Sequence, residues 1–370
     1  MKSILVYYPF TISRNANSGS KLRPIEMLSA FEDFGKEHGL DVILISGSSQ
    51  ERKNQFNELK ALGKLDNLLY CYMENQTIPI WLTDTNHIPK APFIDYQVLS
   101  FLQKKRVPVG VFYRDVYWKF DELYPLKGIK KKIMQTIYRF EERFYSKYCS
   151  VIFLPSMEMG KFVDINQTFA NLPPGGKMRP STGERNTSMF HSLYVGGINN
   201  EDYGLGLLIE SLRKLNMSNP GVVSLTIVCR EDEYKNVTQE MKESINSINA
   251  QVKHVSGESL NELYKSVDFA YIPRYKSTYN DFSVPVKLVE YLSNGLPIVA
   301  TNCEAQKSFI EEGSYGVICE DNPDSMYEAI KTMVKNKSVY KQNIQATFLE
   351  KHSWKARVKK VHHLLSREEI

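Results

Sequence analysis

Short apolar runs alternate with amphipathic stretches through both halves of the chain. The stretch "PIEMLSAFEDFGKEHG" (24–39) has the apolar spacing of a helix that covers a sheet. In the first half, buried strands are predicted at residues 3–8, 41–46, 68–73, 107–113 and 150–156. Strands that alternate with helices predict a parallel sheet with helices on both faces.

The alternation stops at "NLPPGGKMRPSTGERNTS" (171–188), which is rich in Pro, Gly, Ser and Asn and predicts a linker. It then resumes, with strands predicted at 192–197, 224–230, 268–273 and 296–301 and helices at 205–215, 259–267, 286–294 and 353–369. We therefore predict an α/β protein with two doubly wound, Rossmann-like domains that face each other across a cleft. The predicted domains are residues 1–175 and 176–350, and residues 351–370 are predicted to form a helix that packs back toward the first domain. Ligands of such sheets bind beyond the carboxyl ends of the strands.

The amino-acid composition limits which classes of protein and which kinds of site are expected. The 370 residues are 42% hydrophobic and 24% charged, as in ordinary globular proteins. The five Cys include no Cys-x-x-Cys pair and the seven His have no metal-ligand spacing, so we predict no metal, no cofactor and a reducing compartment. The start "MKSILVYYPF" favours a strand over a signal peptide, and a cytoplasmic location is expected. The net charge of +5 does not indicate nucleic acid as a partner.

The stretch "DFSVPVKLVEYLSNGLPIVATNCEAQKSFI" (281–310) combines features that suit a charged ligand. Pro285 stands near a helix start, where it loses no needed N–H, and the first turn of such a helix offers amides and a positive dipole end to phosphate. Lys287 adds a positive charge, and Glu290 on the same face is an acceptor for vicinal hydroxyls, as acidic residues are for ribose. The alternative is an ordinary amphipathic helix with a Lys–Glu pair worth about 0.2–0.5 kcal/mol.

Within it, "PVKLVEYLSNGLPIVAT" (285–301) resembles the donor-site segment of GT-B glycosyltransferases, especially the retaining enzymes of glycosyltransferase family 4. In that family a Pro, a Glu followed by a short helix, and Gly-x-Pro-Val/Ile recur in the C-terminal domain. The resemblance implies that Glu290 holds the ribose of a nucleotide. In the rest of the chain, the resemblance concerns only the order of the structural parts: two Rossmann-like halves, a linker and a closing helix.

A Gly-rich turn in "VGGINNEDYGLGLLIESL" (195–212) lets backbone approach a diphosphate, with Gly196 and Gly197 at the turn. The resemblance implies an Arg and a Lys where this chain has Gly197 and Tyr203. We expect other cations to bind the diphosphate instead, from positions that follow strands at the same sheet edge. These are Arg230, Arg274 and Lys276. The alternative is that their side chains are solvated surface.

The resemblance also implies a Glu eight positions before the ribose Glu, in contact with the donor sugar. Phe282 stands in that place. We expect either the carboxylate of Asp281 to substitute or backbone amides near Ser283 to suffice for this contact.

In the first domain, a strand predicted to end at Tyr113 is followed by Arg114 and Asp115. The resemblance implies a His-Asp-like pair here that faces the cleft. Asp115 is expected to orient or deprotonate an acceptor hydroxyl, and Arg114 to hold the charge of Asp115 or bind an anion. The alternative for Asp115 is a helix N-cap. For the loop "NANSGSKLRP" (15–24), the resemblance implies that Gly19 and Ser20 come near the donor phosphate and acceptor, where Lys21 and Arg23 would add positive charge. The alternative is a disordered surface loop.

The stretch "PLKGIKKKIMQTIYRFEERFYSKY" (125–148) is basic at its start and apolar along one face. Such helices lie on anionic membranes, so Lys130, Lys131 and Lys132 are predicted to contact one. A solvated Lys cluster on a packed helix is the alternative.

Together these features predict a metal-independent hexosyltransferase of polysaccharide biosynthesis, peripheral to the inner face of a membrane. It moves a sugar from a UDP- or GDP-linked donor to a hydroxyl of a glycan or lipid-linked acceptor, with retention implied by the resemblance. Two other hypotheses stay open. One is a catalytically silent relative that binds a glycan or a partner protein, which the missing Arg, Lys and Glu favour. The other is a sugar-nucleotide epimerase, which needs acid–base carboxylates and His in the cleft.

Overall fold

A computed structural model of the protein describes residues 1–12, 19–179 and 189–366. The strands of these residues are β1 (Ser3–Tyr8), β2 (Asp41–Ser46), β3 (Leu68–Glu74), β4 (Val109–Phe112), β5 (Val151–Leu154), β6 (Thr168–Asn171), β7 (Phe190–Val195), β8 (Val223–Val228), β9 (Gln251–Lys253), β10 (Phe269–Ile272), β11 (Ile298–Thr301) and β12 (Gly316–Cys319). The α-helices are α1 (Gly19–His38), α2 (Ser49–Ala61), α3 (Ile94–Lys104), α4 (Gly128–Tyr148), α5 (Leu205–Ser218), α6 (Glu231–Lys235), α7 (Gln239–Ser247), α8 (Gly257–Lys265), α9 (Thr278–Phe282), α10 (Val286–Ser293), α11 (Glu304–Gly313), α12 (Pro323–His352) and α13 (Trp354–Leu365).

The chain divides into two compact units. The first contains Met1–Gly175 together with Trp354–Ile370, so α13 belongs to it although it is the last helix of the chain. The second contains Gly176–Ser353.

The sheet of the first unit has the strand order β2-β1-β3-β4-β5-β6, and its neighbouring strands are parallel. The chain goes from β1 to β2 on one side and then crosses to β3 on the other side of β1. Doubly wound sheets bind their ligands beyond the strand ends at such a reversal. In this unit the reversal places the ends of β1 and β3 next to each other, with Leu5 paired to Cys71.

The sheet of the second unit has the order β12-β11-β10-β7-β8-β9, again with parallel neighbours. Here the reversal lies between β7 and β10, which pair through Ser192 and Phe269 and through Leu193 and Ala270. The predicted α/β class with two Rossmann-like sheets is confirmed.

In the first unit, one face of the sheet packs against α1 and α13. Val361 and Leu365 of α13 are buried in this core together with Phe31 of α1. Close packing is possible because Gly110 in β4 has no side chain: a Cβ there would lie 2.8 Å from a methyl carbon of Leu365. Apolar positions three and four residues apart on both helices therefore build this core, as their spacing predicts.

Three strands of the described residues were not predicted from the sequence: β6, β9 and β12. Each forms an edge of its sheet, and β6 ends at Asn171, which is the first residue of the predicted linker. Edge strands have one open side and need no continuous apolar run, as the exposed Gln251 and Lys253 of β9 illustrate. Of the predicted linker, residues 180–188 lie outside the described residues.

Candidate functional site

The carboxyl ends of β7 and β10 mark the ligand edge of the second unit. Gly196 follows β7 directly, and Arg274 follows β10 after one residue. Tyr291 connects α10 to this edge, because the backbone N–H of Val195 donates a 2.9 Å hydrogen bond to the hydroxyl oxygen of Tyr291. The first turns of α10 are thereby fixed beside the end of β7.

Glu290 on α10 is held by two donors. The Nζ of Lys287 lies 2.7 Å from Oε2 of Glu290, and the hydroxyl of Tyr264 on α8 donates to Oε1 at 2.7 Å. The Glu290 side chain is 23% exposed, so its carboxylate still reaches solvent. Burial and then Glu290 raise the pKa of Tyr264, which therefore stays protonated and a donor. Since a carboxylate has about four lone-pair sites, Glu290 retains capacity for two further donors.

The start of α10 presents unpaired amides. Its N-cap, Pro285, makes no side-chain cap, and the N–H of Leu288 donates to the Pro285 carbonyl at 3.1 Å. The N–H groups of Val286 and Lys287 find no acceptor among the described residues. A helix end of this kind carries partial positive charge and binds anions. With the Lys287 ammonium on the same turn, this end is suited to a phosphate.

Arg274 secures the segment that leads into α10. Its guanidinium donates to the carbonyl of Ser283 at 3.2 Å, to the hydroxyl of Ser283 at 2.7 Å, and to the amide oxygen of Asn280. Burial lowers the pKa of Arg274. Arginine side chains nevertheless stay protonated in proteins. In this structure Arg274 positions Ser283 and contributes positive charge near α10.

The Gly-rich turn after β7 is close-packed. The hydroxyl of Tyr194 donates to the Gly197 carbonyl at 2.6 Å, and a Cβ on Gly197 would lie 2.6 Å from the ring of Tyr203. Gly204, with φ near +71°, comes so close to β10 that a Cβ would lie 1.7 Å from the carbonyl oxygen of Pro273. Glycine is therefore required at the start of α5, and the aromatic Tyr203 covers the turn where the sequence resemblance implies a cation.

The remaining predicted donor residues have other neighbours. The Arg230 side chain is 81% exposed and lies 3.8 Å from Glu233 on the short helix α6. Lys276 forms a 3.3 Å ion pair with Glu304, and Asp281 accepts a hydrogen bond of 3.2 Å from the Glu304 N–H. Asp281 therefore caps α11 in this structure, and none of these three side chains contacts Glu290 within the described part of the chain.

Phe282 is only 2% exposed and packs edge-on against Tyr279. Its side chain lies in the core, and the sugar contact expected of its neighbours Asp281 and Ser283 stays a prediction.

In the first unit, the residues predicted at the end of β4 are near the sheet edge. Oδ1 of Asp115 accepts a 2.9 Å hydrogen bond from the N–H of Tyr117, which caps a short 3-10 turn (Tyr117–Lys119). Arg114 lies 3.3 Å from Glu74 at the end of β3. The loop expected around Gly19 and Ser20 is instead the first turn of α1; residues 15–18 of that stretch lie outside the described residues.

Sequence reasoning missed Tyr264. It stands in a helical stretch whose spacing predicts only packing, and it is 1% exposed. Nothing in the local sequence distinguishes it from a core aromatic residue, because its partner Glu290 is far along the chain.

Among the residues that the structure covers, no group of three or more His, Cys, Asp or Glu is arranged to hold a metal ion. Within the same residues, no helix is both long and apolar enough to cross a membrane.

Residues 190–336, which contain Gly196, Lys287 and Glu290, match the protein family described as Glycosyl transferases group 1. No curated protein matches this chain. Among solved structures the chain is similar to HepE from Anabaena in complex with UDP, with 14% identity, 99% of each chain covered and a TM-score of 0.60.

It is similar as well to sucrose-phosphate synthase from Thermosynechococcus elongatus, with 12% identity, 98% of each chain covered and a TM-score of 0.59. A glycosyltransferase from Rickettsia africae ESF-5 is 15% identical, with 98% of this chain and 97% of that chain covered and a TM-score of 0.57. At sequence identities this low, the similarity to these structures shows the fold alone. The chain thus has the GT-B fold and resembles glycosyltransferases of that fold, and its residues 190–336 match the glycosyl transferases group 1 family.

Proposed function

We propose that the protein is a glycosyltransferase that moves a sugar from a nucleotide-diphosphate sugar to a hydroxyl of a glycan or lipid-linked acceptor. The observation that carries the proposal is the arrangement at α10. A partly exposed carboxylate, Glu290, stands one turn from the Lys287 ammonium and from the amides at the helix start that have no acceptor among the described residues. These groups together can bind ribose hydroxyls and a diphosphate. They lie inside residues 190–336, the stretch that matches the family.

In this proposal Glu290 accepts hydrogen bonds from the ribose, while the amides of α10 and Lys287 hold the diphosphate. Positive groups fixed in this way stabilise the charge that develops on the leaving diphosphate, which makes a metal ion unnecessary. Uracil and guanine are the proposed bases, and the solved HepE complexes with UDP and with UDP-glucose support the first. Transfer of a hexose with retention is proposed from the resemblance to the retaining family.

Asp115 of the first unit is the proposed group for the acceptor hydroxyl. It follows β4 at the carboxyl edge of its sheet, where ligands of doubly wound sheets bind. Its Oδ1 accepts a hydrogen bond from the Tyr117 N–H, and a carboxylate has about four lone-pair sites in all, so it can accept from several donors at once.

Attachment to the inner face of an anionic membrane through α4 is also part of the proposal. Ile129, Ile133 and Phe140 share one face of α4 and are 75%, 55% and 57% exposed. The exposed Lys130 and Lys132 flank this apolar face, whereas Lys131 forms an ion pair with Asp121. Exposed apolar side chains bordered by cations are the features that bind a helix to an anionic lipid surface.

A catalytically silent relative is the second candidate. One specific observation favours it: Gly197 and Tyr203 pack against each other where the resemblance implies two cations for the diphosphate. Such a protein would bind nucleotide or glycan without transferring sugar.

Turnover distinguishes the two candidates. UDP- and GDP-linked sugars are incubated with the protein, with and without glycan or lipid-linked acceptors, and the released nucleoside diphosphate is measured. Release that depends on an acceptor supports the transferase. Nucleotide binding without release from any donor–acceptor pair supports the silent relative, and absence of nucleotide binding refutes the proposed donor site.

A further inference from the structure

A second charged cluster lies at the ligand edge of the first unit. Glu74, the last residue of β3, is fully buried. Its Oε1 is 3.2 Å from Nε of Arg23 on α1 and accepts a 2.8 Å hydrogen bond from the hydroxyl of Tyr72. Its Oε2 is 3.3 Å from Nη2 of Arg114, which follows β4. The name Arg pair is used below for Arg23 and Arg114.

The Arg pair is held in place independently of Glu74. The guanidinium carbon of Arg23 lies 3.5 Å from the centre of the Phe112 ring, a cation–π contact. Arg114 is anchored to the buried Asn75: its backbone N–H donates to the Asn75 side-chain oxygen at 2.8 Å, and its Nε donates to the Asn75 carbonyl at 3.3 Å. Both guanidinium groups are therefore fixed at the carboxyl ends of β3 and β4.

Among the described residues, the ion pairs of this cluster join two cations to one anion. Two guanidinium groups share the single carboxylate of Glu74, and their side chains are only 6% and 14% exposed. Burying a charge is costly unless it is paired. Within the part of the chain that the structure describes, the ion pairs at this edge of the sheet therefore contain more positive than negative charge.

Arg23 also retains unused donors. Its Nε and Nη2 face Glu74 and Tyr72, so Nη1 lies on the other edge of the guanidinium. This Nη1 is buried and has no hydrogen-bond acceptor among the described residues. A buried donor without a partner is rare in native structures, and an acceptor supplied by a ligand would account for it.

We propose that the Arg pair is an anion subsite that binds a phosphoryl group of the acceptor. This inference rests on the proposed function, because it names the chemical class of acceptor that a transferase of this kind would use. Guanidinium groups recognise phosphoryl oxygens through paired N–H donors, and a dianion matches a site with excess positive charge. The donor's diphosphate has its own amides and Lys287 in the second unit, so the Arg pair is left for the acceptor.

Binding is tested on the free protein by NMR of the arginine side-chain Nε–H groups. Inorganic phosphate is titrated at constant ionic strength. The signals of Arg23 and Arg114 are expected to shift with one dissociation constant, while that of Arg143, an exposed arginine of the same unit, stays in place. In Arg114→Gln, phosphate affinity at Arg23 is expected to fall about tenfold or more. Arg143→Gln is the charge-matched control and should retain wild-type affinity.

Unchanged phosphate affinity at Arg23 in a folded Arg114→Gln protein would overturn the subsite, and so would signals that do not move at all. Acetate serves as the second anion, and affinity for acetate equal to that for phosphate would overturn the phosphoryl assignment.

Measurements of sugar transfer distinguish a failure of this inference from a failure of the proposed function. Arg114→Gln should raise the KM for a phosphorylated acceptor about tenfold more than it raises the KM for the dephosphorylated acceptor. Transfer that proceeds equally well on both acceptors would overturn the subsite and leave the transferase intact. Phosphate binding by a protein that never binds nucleotide would refute the transferase and with it the acceptor role of the Arg pair.

Discussion

The hydroxyl of Tyr264 donates a 2.7 Å hydrogen bond to Oε1 of Glu290. It connects α8 to α10 and leaves the second oxygen of the carboxylate to Lys287. Because Tyr264 is buried and Glu290 is partly exposed, the bond fixes the direction in which the carboxylate meets a ligand. Glu290 is therefore oriented before any nucleotide binds, which reduces the entropic cost of binding.

Tyr264→Phe should weaken nucleotide binding without changing the site's charge. The affinity for UDP or GDP is expected to fall about three- to tenfold, because a hydrogen bond of about 1 kcal/mol that orients Glu290 is removed. The measurement is a calorimetric titration. Tyr234→Phe, a partly buried tyrosine of the same unit, is the control. Equal losses in both variants would assign the effect to general packing.

Asp115→Asn separates catalysis from capping. The Asn side-chain oxygen can still accept from the Tyr117 N–H, so the 3-10 turn is preserved while the base is removed. Turnover is expected to fall at least about a hundredfold, with nucleotide affinity unchanged. Steady-state kinetics together with nucleotide titration provide the measurement. Turnover within a few-fold of wild type would assign Asp115 to structure alone.

Replacement of Lys130 and Lys132 by Ser should weaken attachment to anionic vesicles by about 2 kcal/mol, or about thirtyfold. Sedimentation with phosphatidylcholine vesicles, with and without phosphatidylglycerol, measures this. The matched control replaces Lys331 and Lys335, exposed one turn apart on α12. Equal binding by wild type and the α4 variant would mean that these lysines are only solvated surface.

Glu141 gives the first unit a dependence on pH. Burial raises its pKa from 4.5 to about 8, although its Oε1 accepts hydrogen bonds from the Ile80 N–H and the Tyr145 hydroxyl. Between these pH values the folded state binds more protons than the unfolded state, so the free energy of unfolding falls as pH rises toward 8 and levels off above it.

Glu141→Gln removes that contribution. Its stability relative to wild type should therefore increase from pH 5 to pH 8, by at most about 1.4 kcal/mol per pH unit. Urea unfolding at several pH values measures the difference. A difference that stays constant with pH would show that Glu141 does not titrate in this window.

The alternation of apolar runs was sufficient to predict the fold, because strands such as β1 and β11 are buried along their whole length. The edge strand β2 was predicted from its apolar run, whereas the edge strands β6, β9 and β12 were not, since they are short and an edge needs no continuous apolar run. Lys287 and Glu290 could be found because one helical turn separates them, a spacing that sequence displays. Tyr264 could not, because only tertiary packing brings it to Glu290. Gly19 and Ser20 suggested a loop, yet both residue types are tolerated in the first turn of a helix, where few intrahelical bonds are required.

The most direct test of the account compares Glu290→Gln with wild type in titrations of UDP and GDP and of their 2′,3′-dideoxy counterparts. Glu262→Gln on the exposed face of α8 is the matched control. The wild type should prefer the ribose nucleotide of the correct base, and Glu290→Gln should lose about ten- to a hundredfold in affinity for it. The dideoxy nucleotide should bind equally to both proteins, because it offers no hydroxyls to the carboxylate. Unchanged affinity of a folded Glu290→Gln protein for the ribose nucleotide would contradict the assignment of Glu290 and of the donor site.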